Sequence, residues 1–118
     1  MTGLQPLRVA IIGTAPRVIH MYAPILRGLP EEVEVVAVWG RSQESAARVG
    51  GVLGVPWYLD IDKLMRETAP DVGIVAVSYH ANGQVGLMAV EAGLHVLLET
   101  PIAHDLVEAD AIIAAAAQ

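Results

Sequence analysis

Short runs of Val, Ile and Leu recur along this chain, each followed by a longer stretch with helical spacing, and that alternation limits the fold more than any other feature. The runs Leu7–Ile12, Val33–Trp39, Val72–Val77 and His95–Leu98 are almost continuously apolar, as strands covered on both faces must be. Trp57–Tyr58 adds a shorter fifth. Helices are expected at about Pro16–Gly28, Gln43–Val52, Ile61–Thr68, Asn82–Ala92 and Asp105–Ala117. Ser42 and Asp60 stand where N-caps belong, Gly93 is a left-handed stop, and Pro101 with Asp105 opens the last helix. Pro24 conflicts with the first helix, because proline costs about 3 kcal/mol in a regular interior. A kink or early break is expected there.

Strict alternation calls for a parallel sheet with helices on both faces and right-handed crossovers. The expected fold is a doubly wound α/β, three-layer αβα arrangement with strand order 3-2-1-4-5. Ligands of such sheets bind beyond the carboxyl ends of the strands, where the winding reverses between strands 1 and 4. Gly13–Val18, Val77–Asn82 and Glu99–Pro101 should meet there. With 118 residues, 54% of them hydrophobic, the chain can bury one core, and residues 1–118 read as one domain.

Composition removes several function classes. The chain has no cysteine, which excludes disulfides and thiolate metal sites and suits a reducing compartment. No run approaches the roughly 18 apolar residues of a membrane span, and the first residues lack a signal-peptide layout, so a cytoplasmic location is expected. A formal charge of -6 without a basic stripe opposes nucleic acid. His20, His80, His95 and His104 share no metal-ligand spacing, and no metal is expected. Ser78, Tyr79 and His80 are adjacent, but adjacency alone makes no catalytic triad.

The turn after the first strand reads Gly13-Thr14-Ala15-Pro16-Arg17-Val18. It keeps one glycine of the three in a dinucleotide-binding turn, with Ala15 and Val18 at the other two places. Alanine adds one methyl, whereas valine should push the helix outward from the sheet. Pro16 deletes a backbone donor, and Arg17 can offset that loss with a charge-assisted contact to phosphate. An acidic residue expected about 20 residues on, for the ribose of NAD, is absent. Gly40-Arg41-Ser42 stands there instead, and a cation with a hydroxyl favours the 2′-phosphate of NADP, NAD remaining possible.

The segment Ala89-Val-Glu-Ala-Gly-Leu-His-Val-Leu-Leu-Glu-Thr-Pro-Ile-Ala103 resembles the AGKHVLCEKP stretch of the Gfo/Idh/MocA oxidoreductases, with the glycine turn, Val35–Val38 and Asp71–Val77 at matching intervals. Nearly the whole chain is covered. The resemblance implies the N-terminal Rossmann domain of an NAD(P)-dependent oxidoreductase, whose small-molecule substrate is held by a C-terminal domain absent here. Where the family has Glu-Lys-Pro this chain has Glu99-Thr100-Pro101, so its cation is missing and Thr100 offers a hydroxyl instead. The family's Thr-Pro-Asn-x-x-His aligns with Val77-Ser78-Tyr79-His80-Ala81-Asn82 and keeps none of its marked side chains. Similar losses occur in branches resembling thiazolinyl imine reductases, and they make a sugar substrate less expected.

By this reading Gly13–Val18 hold the diphosphate and Gly40, Arg41 and Ser42 the adenosine ribose. Val77, Ser78, Tyr79, Glu99 and Pro101 then flank the nicotinamide, with Thr100 and His80 as the catalytic candidates. The Ala-rich last helix favours a truncated enzyme, inactive alone, whose uncovered apolar surface makes a homo-oligomer possible. The alternative is a Rossmann-shaped binding or assembly module without redox activity.

Overall fold

A computed structural model describes residues 5–118. Five parallel strands form one sheet in the order β3-β2-β1-β4-β5: β1 (Leu7–Ile12), β2 (Val33–Trp39), β3 (Trp57–Tyr58), β4 (Val72–Val75) and β5 (His95–Leu98). Four helices separate or follow them as α2 (Gln43–Leu53), α3 (Ile61–Thr68), α4 (Asn82–Glu91) and α5 (Leu106–Ala116). Between β1 and β2 a π-helical turn, Val18–Tyr22, runs directly into α1 (Ala23–Arg27). The sheet is a Rossmann arrangement, with the winding reversed between β1 and β4.

Alternate residues of β1 feed opposite cores, as the strand period requires. Ala10 and Ile12 join Trp39, Leu64, Val75, Val85 and Ala89 on one face. Val9 and Ile11 join Val18, Val38, Val49 and Ile74 on the other. Register then matters for function, because Tyr58, Trp39, Ile12, Val75 and Leu98 align across the sheet as one row. The residues just past that row converge on one edge.

Local chemistry explains the ends of the elements. Ser42 caps α2 by accepting from the Ser45 amide at 3.2 Å, and Asp60 caps α3 by accepting from Asp62 at 2.9 Å. At the far end of α3 the Arg8 guanidinium donates to the carbonyls of Thr68 and Ala69, each at 3.2 Å from Nε, a cation satisfying the last carbonyls of a helix. Gly93 has the left-handed φ of 104° expected of a stop.

Three boundaries differ from the sequence reading. Strand β4 ends at Val75 instead of Val77, because the Ala76 carbonyl accepts from Ala15 in the glycine turn at 3.1 Å. The first helix changes type where Pro24 enters: the Ala23 amide donates to Val18 across five residues, and Pro24 falls in the first turn of α1, where its missing N–H is harmless. Pro101 lies outside the last helix, after a cis Thr100–Pro101 bond, while Asp105 caps α5 by accepting from Glu108 at 2.8 Å. Leu97 on the edge strand and Leu106, Val107 and Ile113 on α5 stay exposed. Among the described residues no helix is long and apolar enough to cross a membrane.

Candidate functional site

Gly13 follows the aligned row and turns the chain with φ at +123°. A side chain there would overlap the Ala76 carbonyl oxygen and come within 2.5 Å of Val77 Cγ1, so only glycine fits. The turn is pinned on both sides. Gly13 donates to the Trp39 carbonyl at 2.8 Å, Ala15 to that of Ala76 at 3.1 Å, and Val18 to Ala15 at 2.9 Å. Pro16 has no donor, which leaves the amides of Thr14 and Arg17 without a partner among the described residues. Free amides at the head of a helix are donors that an anion can accept from. Val18 is fully buried in the second core and takes no part in the walls of either cleft described below. The widened π turn begins at this residue.

A cleft of about 180 Å³ opens over this turn, walled by Gly13, Thr14, Ala15, Trp39, Arg41, Val77, Ser78 and Ala81. Trp39 is fixed there by donating from its indole to the Leu59 carbonyl at 3.0 Å. Arg41 is exposed and has no hydrogen bond or ion pair among the described residues. Gly40 lies behind the wall, where a Cβ would sit 2.9 Å from that of Ala46 and 3.1 Å from Thr14 Cγ2. The hydroxyl of Ser42 is engaged as the α2 cap and lies 2.8 Å from that of Ser45.

Beyond the switch point a second cleft of about 230 Å³ shares Val77 with the first. Arg17 turns into it instead of toward the glycine turn. Its guanidinium pairs with the Glu99 carboxylate through two nitrogens and donates to the Val77 carbonyl at 2.8 Å. Tyr22 faces the same carboxylate; burial first, then the negative charge of Glu99, raise its phenol above the ordinary tyrosine range. Burial and a 3.0 Å hydrogen bond to Glu67 do the same for Tyr58. Both folded-state values lie above the unfolded value of about 10, so the folded chain holds these protons longer and their contribution is present below that pH. Stability should therefore fall as pH rises above about 10. Urea titrations over pH 8–11 test this, and Tyr22→Phe should flatten the fall.

Thr100, Pro101, Tyr79 and Asn82 complete the second cleft. His80 is outside both walls, on an exposed rim where its ring stacks on His104 at 5.4 Å and meets Tyr79 at 5.3 Å. Among the described residues no group of three or more His, Cys, Asp or Glu could hold a metal. The fold thus divides the sequence-derived residues. Gly13, Thr14, Ala15, Arg41, Val77 and Ser78 share one cleft, while Arg17, Tyr79, Glu99, Thr100 and Pro101 line the other with Val77. Pro16, Val18, Gly40, Ser42 and His80 lie outside the two walls.

Sequence reasoning missed Tyr22 and Asn82. Asn82 was legible as the end of the Val77–Asn82 segment at this edge and as the first residue of a helix, but not as the donor to the carbonyls of Glu99 at 2.8 Å and Pro101 at 2.9 Å.

Comparison with known proteins agrees with this fold. A family model described as "Oxidoreductase family, NAD-binding Rossmann fold", that of Gfo/Idh/MocA, matches residues 7–118. An uncharacterized oxidoreductase of Schizosaccharomyces pombe is 31% identical over 101 residues, 83% of this chain and 27% of the yeast protein. A 3-ketoreductase from Actinomadura kijaniata, solved with NADP and TDP-benzene, superimposes with a TM-score of 0.81 at 28% identity, over 95% of this chain and 34% of that one. Biliverdin reductase from Synechocystis, solved with biliverdin and NADP+, gives 0.77 at 27% identity over 95% and 35%. The chain therefore spans about a third of the length of these relatives.

Proposed function

The chain belongs to the Gfo/Idh/MocA oxidoreductase family, and from that premise we propose that it is the nucleotide-binding domain of an NADP-dependent oxidoreductase. The donor set fits the cofactor: the amides of Thr14 and Arg17, without a partner among the described residues, suit a diphosphate at the head of a helix, and Arg41, a cation likewise without one among them, lies in the same cleft as Thr14. One observation carries the preference for NADP. Arg41 occupies the wall at the end of β2, where a ribose-binding acid would repel a 2′-phosphate, and among the described residues it makes no bond that such a phosphate would have to displace.

When bound, the nicotinamide supplies a hydride equivalent. Thr14 and Arg17 amides would hold the diphosphate, Arg41 the 2′-phosphate with Ser42 and Ser45 hydroxyls beside it, and Trp39 would pack along the adenosine side. Ser78, Tyr79 and the Glu99–Pro101 turn would flank the other end, excluding water from one side of the ring. Thr100 donates or accepts a hydrogen bond but supplies no charge. His80 reaches this edge only from the rim. We assign the small-molecule acceptor to a further domain of a longer protein, in keeping with relatives about three times as long.

Thermal denaturation with NADPH, NADH or neither tests the reading. A ligand at 100 times its Kd stabilises by about 2.7 kcal/mol, so saturating NADPH should raise the Tm and NADH should need higher concentrations. Arg41→Ala should weaken NADPH binding about 10- to 100-fold, the scale of one charged hydrogen-bonded contact, and leave NADH unchanged. An unaltered NADPH to NADH ratio would reject the role of Arg41; no shift with either would favour a module without redox function.

A further inference from the structure

The wall of the second cleft is a turn held from two directions. Asn82, 4% exposed, donates both amide hydrogens, to the carbonyls of Glu99 and Pro101, while Arg17 grips the Glu99 carboxylate. Between the two bonded carbonyls stands Thr100, exposed, with its hydroxyl unpaired among the described residues. Asn82 Oδ1 is buried and also without a partner among them. A residue retained for packing alone would avoid that orphan, since leucine fills a similar volume with no polar atom to satisfy. The two donated hydrogens are thus what this position supplies.

The charge of the cleft is balanced, because its one cation and its one carboxylate, Arg17 and Glu99, are paired with each other. Such a wall suits a neutral hydrogen-bonding group. A phosphate would need a cation not already paired.

Resting on the dinucleotide reading above, we infer that Asn82 is a positioning residue for the nicotinamide half of the cofactor: it fixes the Glu99–Pro101 turn so that the Thr100 hydroxyl meets the neutral ring or its carboxamide. Asn82 itself acts through Thr100.

The test compares NADPH with 2′-phospho-ADP-ribose, which has the same adenosine phosphates and no nicotinamide, by calorimetry on the 118-residue chain. Asn82→Asp cannot donate to the two carbonyls and should lower NADPH affinity about threefold or more, up to the loss of the one Thr100 contact to the cofactor, with the fragment's Kd kept within about twofold. Thr100→Val, at an exposed position, should weaken NADPH about threefold or more and spare the fragment. The double variant should be no weaker than Asn82→Asp alone, a non-additivity that a purely structural role for Asn82 would not produce. Equal weakening of both ligands by Asn82→Asp, or undiminished NADPH binding by Thr100→Val, overturns the inference. If Asn82→Asp does not fold, Thr100→Val decides. Wild-type chain that binds the fragment and NADPH equally refutes this inference alone, whereas chain that binds neither refutes the dinucleotide reading and the inference with it.

Discussion

Gly13→Ala should lower the unfolding free energy by about 3–5 kcal/mol, a large share of the 5–15 kcal/mol that holds a domain together. Two costs combine. The backbone conformation at φ +123° disfavours any side chain, and the new methyl would meet the Ala76 carbonyl and Val77 Cγ1. Relief would require β1 and β4 to separate at the row that aligns Ile12 with Val75. Urea denaturation measures the loss, and Gly51→Ala is the control. That glycine lies within α2 with nothing within 4 Å of its added Cβ, so alanine there should be neutral or stabilise by up to about 1 kcal/mol. Similar midpoints for the two variants would show that the turn has room to give.

Arg17→Ala should cost about 2–3 kcal/mol, more than an ordinary surface ion pair, because its partners stay behind partly desolvated. The Glu99 carboxylate, whose side chain is only 25% exposed, loses its cation, and the Val77 carbonyl loses a donor. A four-protein cycle with Glu99→Gln isolates the pair from the remaining packing of the arginine stem. A coupling of about 1 kcal/mol or more is expected, and a value near zero would mean that the pair adds nothing to its separate contacts.

The layout of strands and helices was readable because short Val/Ile-rich runs alternate with longer stretches of helical spacing, and 3-2-1-4-5 is one of the common orders that alternation and right-handed crossovers allow. The two-residue error at β4 arose because Ala76 and Val77 are as apolar as the strand before them. What ends the ladder is the Ala15 amide, 61 positions earlier, and nothing local reports it. Arg17 shows the same limit. Its place beside the glycine turn suggests a phosphate ligand, yet its partner is Glu99, brought close only by the crossing of β1, β4 and β5. Pro24 did announce an irregular helix, but not that the chain would widen into a π-helical turn over Val18–Tyr22 instead of kinking or breaking. Ala69 adopts a left-handed conformation with φ at 44°, and alanine gives no warning of that.

Arg41 and Ser42 are neighbours with unlike obligations. The serine seals the start of α2, so replacing it disturbs the scaffold, while the arginine is bonded to nothing else among the described residues. Residue 41 can therefore be exchanged with the architecture intact, so that, under the role proposed for Arg41, preference between NADP and NAD is the property that can be re-engineered with the least repair.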